Sequence, residues 1–184
     1  MKIIKTPLSG VVIIEPVIFE DSRGYFFESY QREKYIDSGI DVQFVQDNES
    51  KSVKGVIRGL HYQLEPYSQA KLVRVISGRV FDVAVDLRKG SPTFGQWFGL
   101  ELDSENKKQL FIPRGFAHGF SVLSETAIFT YKCDNVYTSA SERAINLNDP
   151  NLGINWKLDE SERIVSEKDK QSPVFSEAEM NFVF

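Results

Sequence analysis

Residues 71–87 read Lys71-Leu72-Val73-Arg74-Val75-Ile76-Ser77-Gly78-Arg79-Val80-Phe81-Asp82-Val83-Ala84-Val85-Asp86-Leu87. Two β-rich runs, 71–76 and 80–87, flank Ser77-Gly78-Arg79, a spacing that predicts a tight hairpin. In the second run every odd position from Phe81 to Leu87 is apolar, so that face of the strand is buried. The even positions hold Asp82, Ala84 and Asp86 and face something more polar.

The same texture continues on both sides. Runs at 11–14, 25–30, 97–102, 109–112, 116–123 and 127–133 are strand-like and separated by turn residues. Helical signal is sparse: 31–38 before Gly39 fits a short helix with a glycine past its end, and 176–180 fits a second. Many short strands with so little helix predict an all-β antiparallel sandwich or barrel of the jelly-roll kind. Lys89-Gly90-Ser91-Pro92 is a turn rather than a boundary, and 1–184 is read as a single domain.

Composition narrows the function. The 184 residues carry 22 basic and 26 acidic side chains, a net charge of −4, which argues against a nucleic-acid partner. With 41% hydrophobic and 26% charged residues the chain is globular rather than disordered. One cysteine, Cys133, cannot form an internal disulfide and fits a reducing compartment. The N-terminus lacks a signal-peptide pattern, and no apolar run approaches the roughly 18 residues of a membrane span. The expected location is the cytoplasm, with no membrane partner. Only two histidines occur, against 14 Phe and 7 Tyr, and histidine titrates nearest neutral pH.

Both histidines fall in glycine-containing, strand-bounded segments: Gly55-Val56-Ile57-Arg58-Gly59-Leu60-His61-Tyr62-Gln63 and Pro113-Arg114-Gly115-Phe116-Ala117-His118-Gly119. Arg58, His61, Gln63 and Lys71 concentrate polar groups in an otherwise apolar β stretch. They read either as a solvated outer face or as the lining of a barrel that binds an anion. The two segments resemble the two motifs of the cupin superfamily, whose histidines and glutamate hold a metal inside a jelly-roll barrel. Gly55 and His61 stand at the first motif's separation, and Pro113, Gly115 and His118 match the second. Gln63 replaces the first motif's second histidine, and counting back from Gly78 puts Lys71 in the glutamate's slot. An ammonium donates hydrogen bonds and cannot ligate a cation. The expectation is therefore no catalytic metal and no cofactor, with the protein supplying the cation.

Five segments, two of them overlapping these histidine segments, resemble the dTDP-4-dehydrorhamnose 3,5-epimerase family. They are Asp21-Ser22-Arg23-Gly24-Tyr25-Phe26-Phe27-Glu28, Phe44-Val45-Gln46-Asp47-Asn48-Glu49-Ser50, Arg58-Gly59-Leu60-His61-Tyr62-Gln63, Ala70-Lys71-Leu72-Val73-Arg74-Val75 and Phe111-Ile112-Pro113-Arg114-Gly115-Phe116-Ala117-His118-Gly119-Phe120. The resemblance implies a cupin-type jelly roll and inversion at carbons 3 and 5 of a dTDP-linked 4-keto-6-deoxy sugar. Both carbons are α to the ketone, so the chemistry needs a base, an acid and a stabilised enolate oxygen. By this resemblance His61 is the base, Asp169 orients it, Tyr131 is the acid and Lys71 sits by the enolate oxygen. His118 contacts the sugar. Arg23, Arg58 and Lys168 hold the pyrophosphate, Glu28, Gln46, Asp47 and Asn48 the nucleotide, and Phe26 and Tyr137 the base. Glu142 is a further substrate contact. The family also implies a homodimer in which strand 23–28 is exchanged into the partner's sheet.

Ala144 and Leu147 depart from the family's usual glycine and tryptophan, in a segment expected near the hexose. Other readings remain: a single-carbon epimerase on a related nucleotide-linked keto sugar, a metal-dependent cupin dioxygenase, or a non-catalytic sugar-binding cupin.

Overall fold

The computed structural model describes residues 1–184. In chain order the elements are β1 (Lys2–Lys5), β2 (Val12–Glu15), β3 (Ile18–Asp21), β4 (Gly24–Phe27), α1 (Arg32–Asp37), β5 (Gln46–Val53), β6 (Ile57–Gln63), β7 (Lys71–Ser77) and β8 (Arg79–Asp86). They continue as β9 (Trp97–Asp103), β10 (Gln109–Ile112), β11 (Phe116–Val122), β12 (Thr126–Cys133), β13 (Glu142–Ala144) and α2 (Glu167–Lys170). One sheet has the order β1-β2-β10-β7-β12-β5 and a second the order β13-β6-β11-β8-β9. The two form an antiparallel jelly-roll sandwich, and neither closes on itself, so the barrel alternative gives way to an open sandwich. No helix is long and apolar enough to cross a membrane.

The segment 71–87 does not form a hairpin. β7 lies between β10 and β12 in one sheet, while β8 lies between β11 and β9 in the other. The chain crosses between sheets at Gly78, whose φ of +82° and crowding explain the residue choice. A Cβ there would sit 2.1 Å from the Thr126 carbonyl oxygen. The turn's polar groups bond to neighbouring strands instead of to each other: Ser104 N donates to Gly78 O, and Arg79 N to Ser124 Oγ.

Crossing at this point buries both faces of β8. Phe81, Val83, Val85 and Leu87 pack with Leu60, Trp156 and Phe182 beneath the covering C-terminal segment. Val80 and Ala84 point between the sheets and pack with Val73, Leu102 and Phe129. Asp82 and Asp86 share that even-numbered face and are fully buried. Asp86 is held by Arg88, Ser91 and Thr93 at 2.6–2.8 Å. A third apolar cluster, including Leu72, Phe111, Tyr35 and Ile40, seats α1 and the following turn on the outer face of the six-stranded sheet.

The helix expected at 31–38 is α1, capped by Gln31 Oε1 accepting from Lys34 N at 2.7 Å and ended by Gly39 at φ +87°. The helix expected at 176–180 is only a 3-10 turn, Phe175–Glu177. Tail anchoring competes there: Phe175 N donates to Asp149 Oδ2, and Tyr62 Oη donates to Glu179 O. The strand expected at 25–30 stops at Phe27 and pairs only with β3.

Replacing Gly78 with Ala should destabilise the fold by at least about 2 kcal/mol, because backbone strain and the Thr126 clash combine. Gly90→Ala is the control: its φ is +88° but nothing lies within 4 Å of the added Cβ. It should cost only about 1 kcal/mol. Urea midpoints of the two variants measure the difference, and equal losses would remove the crossover argument.

Candidate active site

The two histidines are direct cross-strand partners, His61 on β6 and His118 on β11. Direct partners on one face have Cβ atoms about 5 Å apart, so the rings share one wall of the space between sheets. The next pairing is Phe120 with Arg58, a register shift that marks a β-bulge. Three positions separate Arg58 from His61, which in a regular strand sends their side chains to opposite faces. The bulge turns both toward one cleft, and Gly59 makes it possible. Gly59 has φ +134°, and a Cβ there would meet Gly119 Cα at 2.5 Å. Arg58 Nε is steadied by Ser52 Oγ at 3.1 Å.

That cleft, of about 290 Å3, is lined on one wall by Arg58, His61 and His118 and on the other by Asn48, Lys71 and Tyr131. Asp169 stands behind His61, its Oδ1 2.8 Å from His61 Nε2. A carboxylate is an acceptor, so Nε2 carries the proton of the neutral ring and Nδ1 remains as the basic nitrogen. Asp169 is itself placed by α2, whose cap Ser166 Oγ accepts from Asp169 N. Burial raises the Asp169 pKa, but hydrogen bonds from His61, Ser166 and the Gly59 backbone outweigh it and hold it below the usual 3.8.

His118 has its own carboxylate, Asp82 Oδ2, 2.9 Å from Nε2. Burial nevertheless pushes the His118 pKa below 6.5, against the pull of Asp82 and with help from nearby Lys71 and His61. Lys71 is buried with no carboxylate within ion-pair distance. Its pKa falls through burial, while Cys133, Asp82 and Glu142 oppose the fall from a distance. Its Nζ lies 5.8 Å from the centroid of the Tyr131 ring. Burial, then Cys133, pushes the Tyr131 hydroxyl up, so it stays protonated at neutral pH.

At the mouth, Glu142 on β13 accepts from Tyr137 Oη at 3.0 Å and also from Lys168 Nζ. Gln46 accepts from Tyr137 N at 2.9 Å and donates to Asn48 at 3.0 Å. The expected residues His61, Asp169, Lys71, Tyr131, His118, Arg58, Asn48, Gln46, Tyr137, Glu142 and Lys168 thus converge. Four others do not. Asp47 points to the other face of β5 and pairs with Lys132 at 2.9 Å. Glu28 pairs with Lys34 at 2.7 Å, and Arg23 is engaged by Asp21 on the β3–β4 hairpin. Phe26 stands 69% exposed on the same hairpin.

The sequence reading missed Asp82 as the partner of His118, although its place on the polar face of β8 was a signal. It also missed Ser52, which reaches Arg58 across the turn between β5 and β6, and Gln69, whose side chain bonds Asn135 O in a loop 66 residues away. The departure at Leu147 falls in the core beside Trp156, whereas Ala144 pairs with His61 across β13 and β6. In the cupin metal position, Gln63 spends its amide on loop backbone, and no group of three or more His, Cys, Asp or Glu converges as a ligand set.

The depressed His118 pKa sets a pH dependence of stability. Below 6.5 the unfolded chain takes up a proton at this position that the folded chain resists, so stability falls as pH falls. The Asp169 contribution is present above 3.8 and is lost only as pH drops toward its lower folded value. Between pH 6.5 and 5, His118→Gln should flatten the slope by up to about 1.4 kcal/mol per pH unit. Urea midpoints across that range check it, and an unchanged slope would exonerate His118.

Known proteins resemble this chain along nearly its whole length. The family model described as dTDP-4-dehydrorhamnose 3,5-epimerase matches residues 5–177. The enzyme of that name from Shigella flexneri is 52% identical over 180 residues, covering 97% of this chain and 98% of its own. The crystal structure of dTDP-4-dehydrorhamnose 3,5-epimerase from Elizabethkingia anophelis has a TM-score of 0.92 and 56% identity, covering 96% of this chain and 97% of that one. A Legionella pneumophila epimerase solved in complex with dTDP-4-keto-L-rhamnose has a TM-score of 0.92 and 52% identity, covering 96% and 93%. A family model matched over residues 5–177 and relatives about half identical over nearly the whole chain leave one conclusion: this chain belongs to the dTDP-4-dehydrorhamnose 3,5-epimerase family.

Proposed function

We propose that this protein inverts carbons 3 and 5 of dTDP-4-keto-6-deoxy-D-glucose, giving dTDP-4-keto-L-rhamnose, in the cytoplasm. The observation that carries the reading is the opposition of His61, backed by Asp169, to Tyr131 and Lys71 across the cleft. His61 Nδ1 removes the proton α to the ketone, and Asp169 stabilises the imidazolium without taking the proton. The electron pair moves onto the ketone oxygen, where the buried Lys71 ammonium stabilises the enolate. Tyr131 Oη delivers a proton to the opposite face, which inverts the carbon. Exchange with solvent then returns a proton to Tyr131 and takes one from His61. His118 Nδ1, left free by the Asp82 bond, accepts from a sugar hydroxyl.

The nucleotide half of the site extends to the mouth. Arg58 and Lys168 meet the pyrophosphate, with arginine's planar fork suited to its oxygens. Asn48 and Gln46 contact the nucleotide, Tyr137 faces the nucleobase, and Glu142 completes the rim. Arg23, Phe26 and Glu28 join through a homodimer in which strand 23–28 serves the partner's site. Support comes from the β3–β4 hairpin, which bonds to neither sheet and leaves Phe19, Tyr25 and Phe26 more than half exposed. A lone two-stranded ribbon is marginal in water, and β5 offers it an unpaired edge.

Incubation with the keto sugar in deuterium oxide, followed by NMR, should show deuterium at both carbons. His61→Ala should slow exchange by roughly a thousandfold, and Tyr131→Phe should keep exchange at one or both carbons while slowing completed inversion about a hundredfold. Absence of exchange in the wild type would overturn the reading, and exchange at one carbon alone would select a single-site epimerase.

Site sharing has a separate test. Arg23→Ala and His61→Ala chains, each impaired alone, should complement when co-expressed, because a mixed dimer contains one site with both residues intact. Random pairing restores roughly a quarter of the sites. No recovery despite mixed-dimer formation would place Arg23 with the His61 of its own chain.

A further inference from the structure

Gln63 lies two residues beyond His61 on β6, faces the same cleft and is 4% exposed. Its amide is almost fully used. Nε2 donates to Tyr67 O at 2.7 Å and Val136 O at 3.1 Å, and Oε1 accepts from Thr138 N at 2.6 Å. Two carbonyls and one N–H allow only one orientation of the amide, since a flipped group would set oxygen against oxygen. No donor is left for a substrate.

Two of these three bonds flank Tyr137 in the irregular stretch between β12 and the 3-10 turn Ser139–Ser141. Two more glutamines hold the same stretch: Gln69 Nε2 donates to Asn135 O at 2.8 Å, and Gln46 Oε1 accepts from Tyr137 N at 2.9 Å. Residues 135–138 thus bond, peptide by peptide, to side chains from three separate parts of the fold. The backbone is fixed while the Tyr137 side chain is free to be presented, its residue 54% exposed and its hydroxyl on Glu142. Such fixing removes the ordering cost that a loose loop would meet on binding.

We infer that Gln63 is a positioning residue for nucleotide binding, acting through Tyr137 rather than by touching substrate. The inference rests on the proposed contact between Tyr137 and the nucleobase. It reassigns the position where a metal-binding cupin carries a histidine: here an amide organises the loop that receives the nucleotide.

The test is a double-mutant cycle read by calorimetric binding of dTDP and by steady-state kinetics. Gln63→Met keeps the length of the side chain and removes its hydrogen bonds. It should weaken dTDP binding and raise KM on the order of tenfold, with kcat little changed. In a Tyr137→Ala background the same substitution should have less than about a twofold effect, because the group it positions is gone. Gln69→Met, which removes only the Asn135 bond, should weaken binding about threefold and serves if Gln63→Met fails to fold. A full effect of either substitution in the Tyr137→Ala background would overturn the positioning inference while leaving the base contact standing. Unchanged dTDP affinity in Tyr137→Ala alone would overturn the base contact, and the inference with it. A fall in kcat with KM unchanged would assign Gln63 to the reacting end of the site and overturn the inference as well.

Discussion

Burying the Lys71 side chain between two sheets takes an ammonium out of water without a carboxylate at ion-pair distance. Effective penalties for such burial reach several kcal/mol, so the surrounding fold must be rigid enough to impose it. The rigidity comes from three apolar clusters, one between the sheets and one on each outer face. In the proposed chemistry a charge held in this way does not need to reorganise when an oxyanion develops beside it, which is the advantage of a preorganised site over water. The lowered Lys71 pKa is the visible cost of the same arrangement.

The two imidazole–carboxylate pairs set similar parts in different surroundings. His61 is partly open to the cleft, and its carboxylate comes from a short helix more than a hundred residues away. His118 is closed in, and its carboxylate comes from the neighbouring strand β8. In both, the bond through Nε2 leaves Nδ1 free, but burial disfavours charge on His118. The buried ring therefore suits a neutral hydrogen bond.

Strand alternation was legible where it reported on apolar packing, as in the odd positions of β8. It was illegible in β5, whose Gln46-Asp47-Asn48-Glu49-Ser50-Lys51-Ser52-Val53 carries no apolar stripe. One face of that strand lines a polar cleft, so its pattern resembles a loop. The predicted hairpin around Gly78 failed because glycine between two strands signals a sharp reversal without saying whether the strands pair. Here the reversal changes sheets, since the space beside Gly78 is occupied by the backbone of Thr126.

The sequence by itself determined the all-β class and the pair of histidine segments, and resemblance to the cupin motifs set Gln63 and Lys71 in two metal-ligand slots. Those are matters of residue type and short spacing, which a linear chain displays directly. Only the tertiary structure decided that His61 and His118 are cross-strand partners, that a bulge at Gly59 brings Arg58 to the same face, and that Asp82 serves the ring of His118. Each of those depends on register between strands far apart in sequence. Register is set by packing of whole faces, so it has no local signature to read.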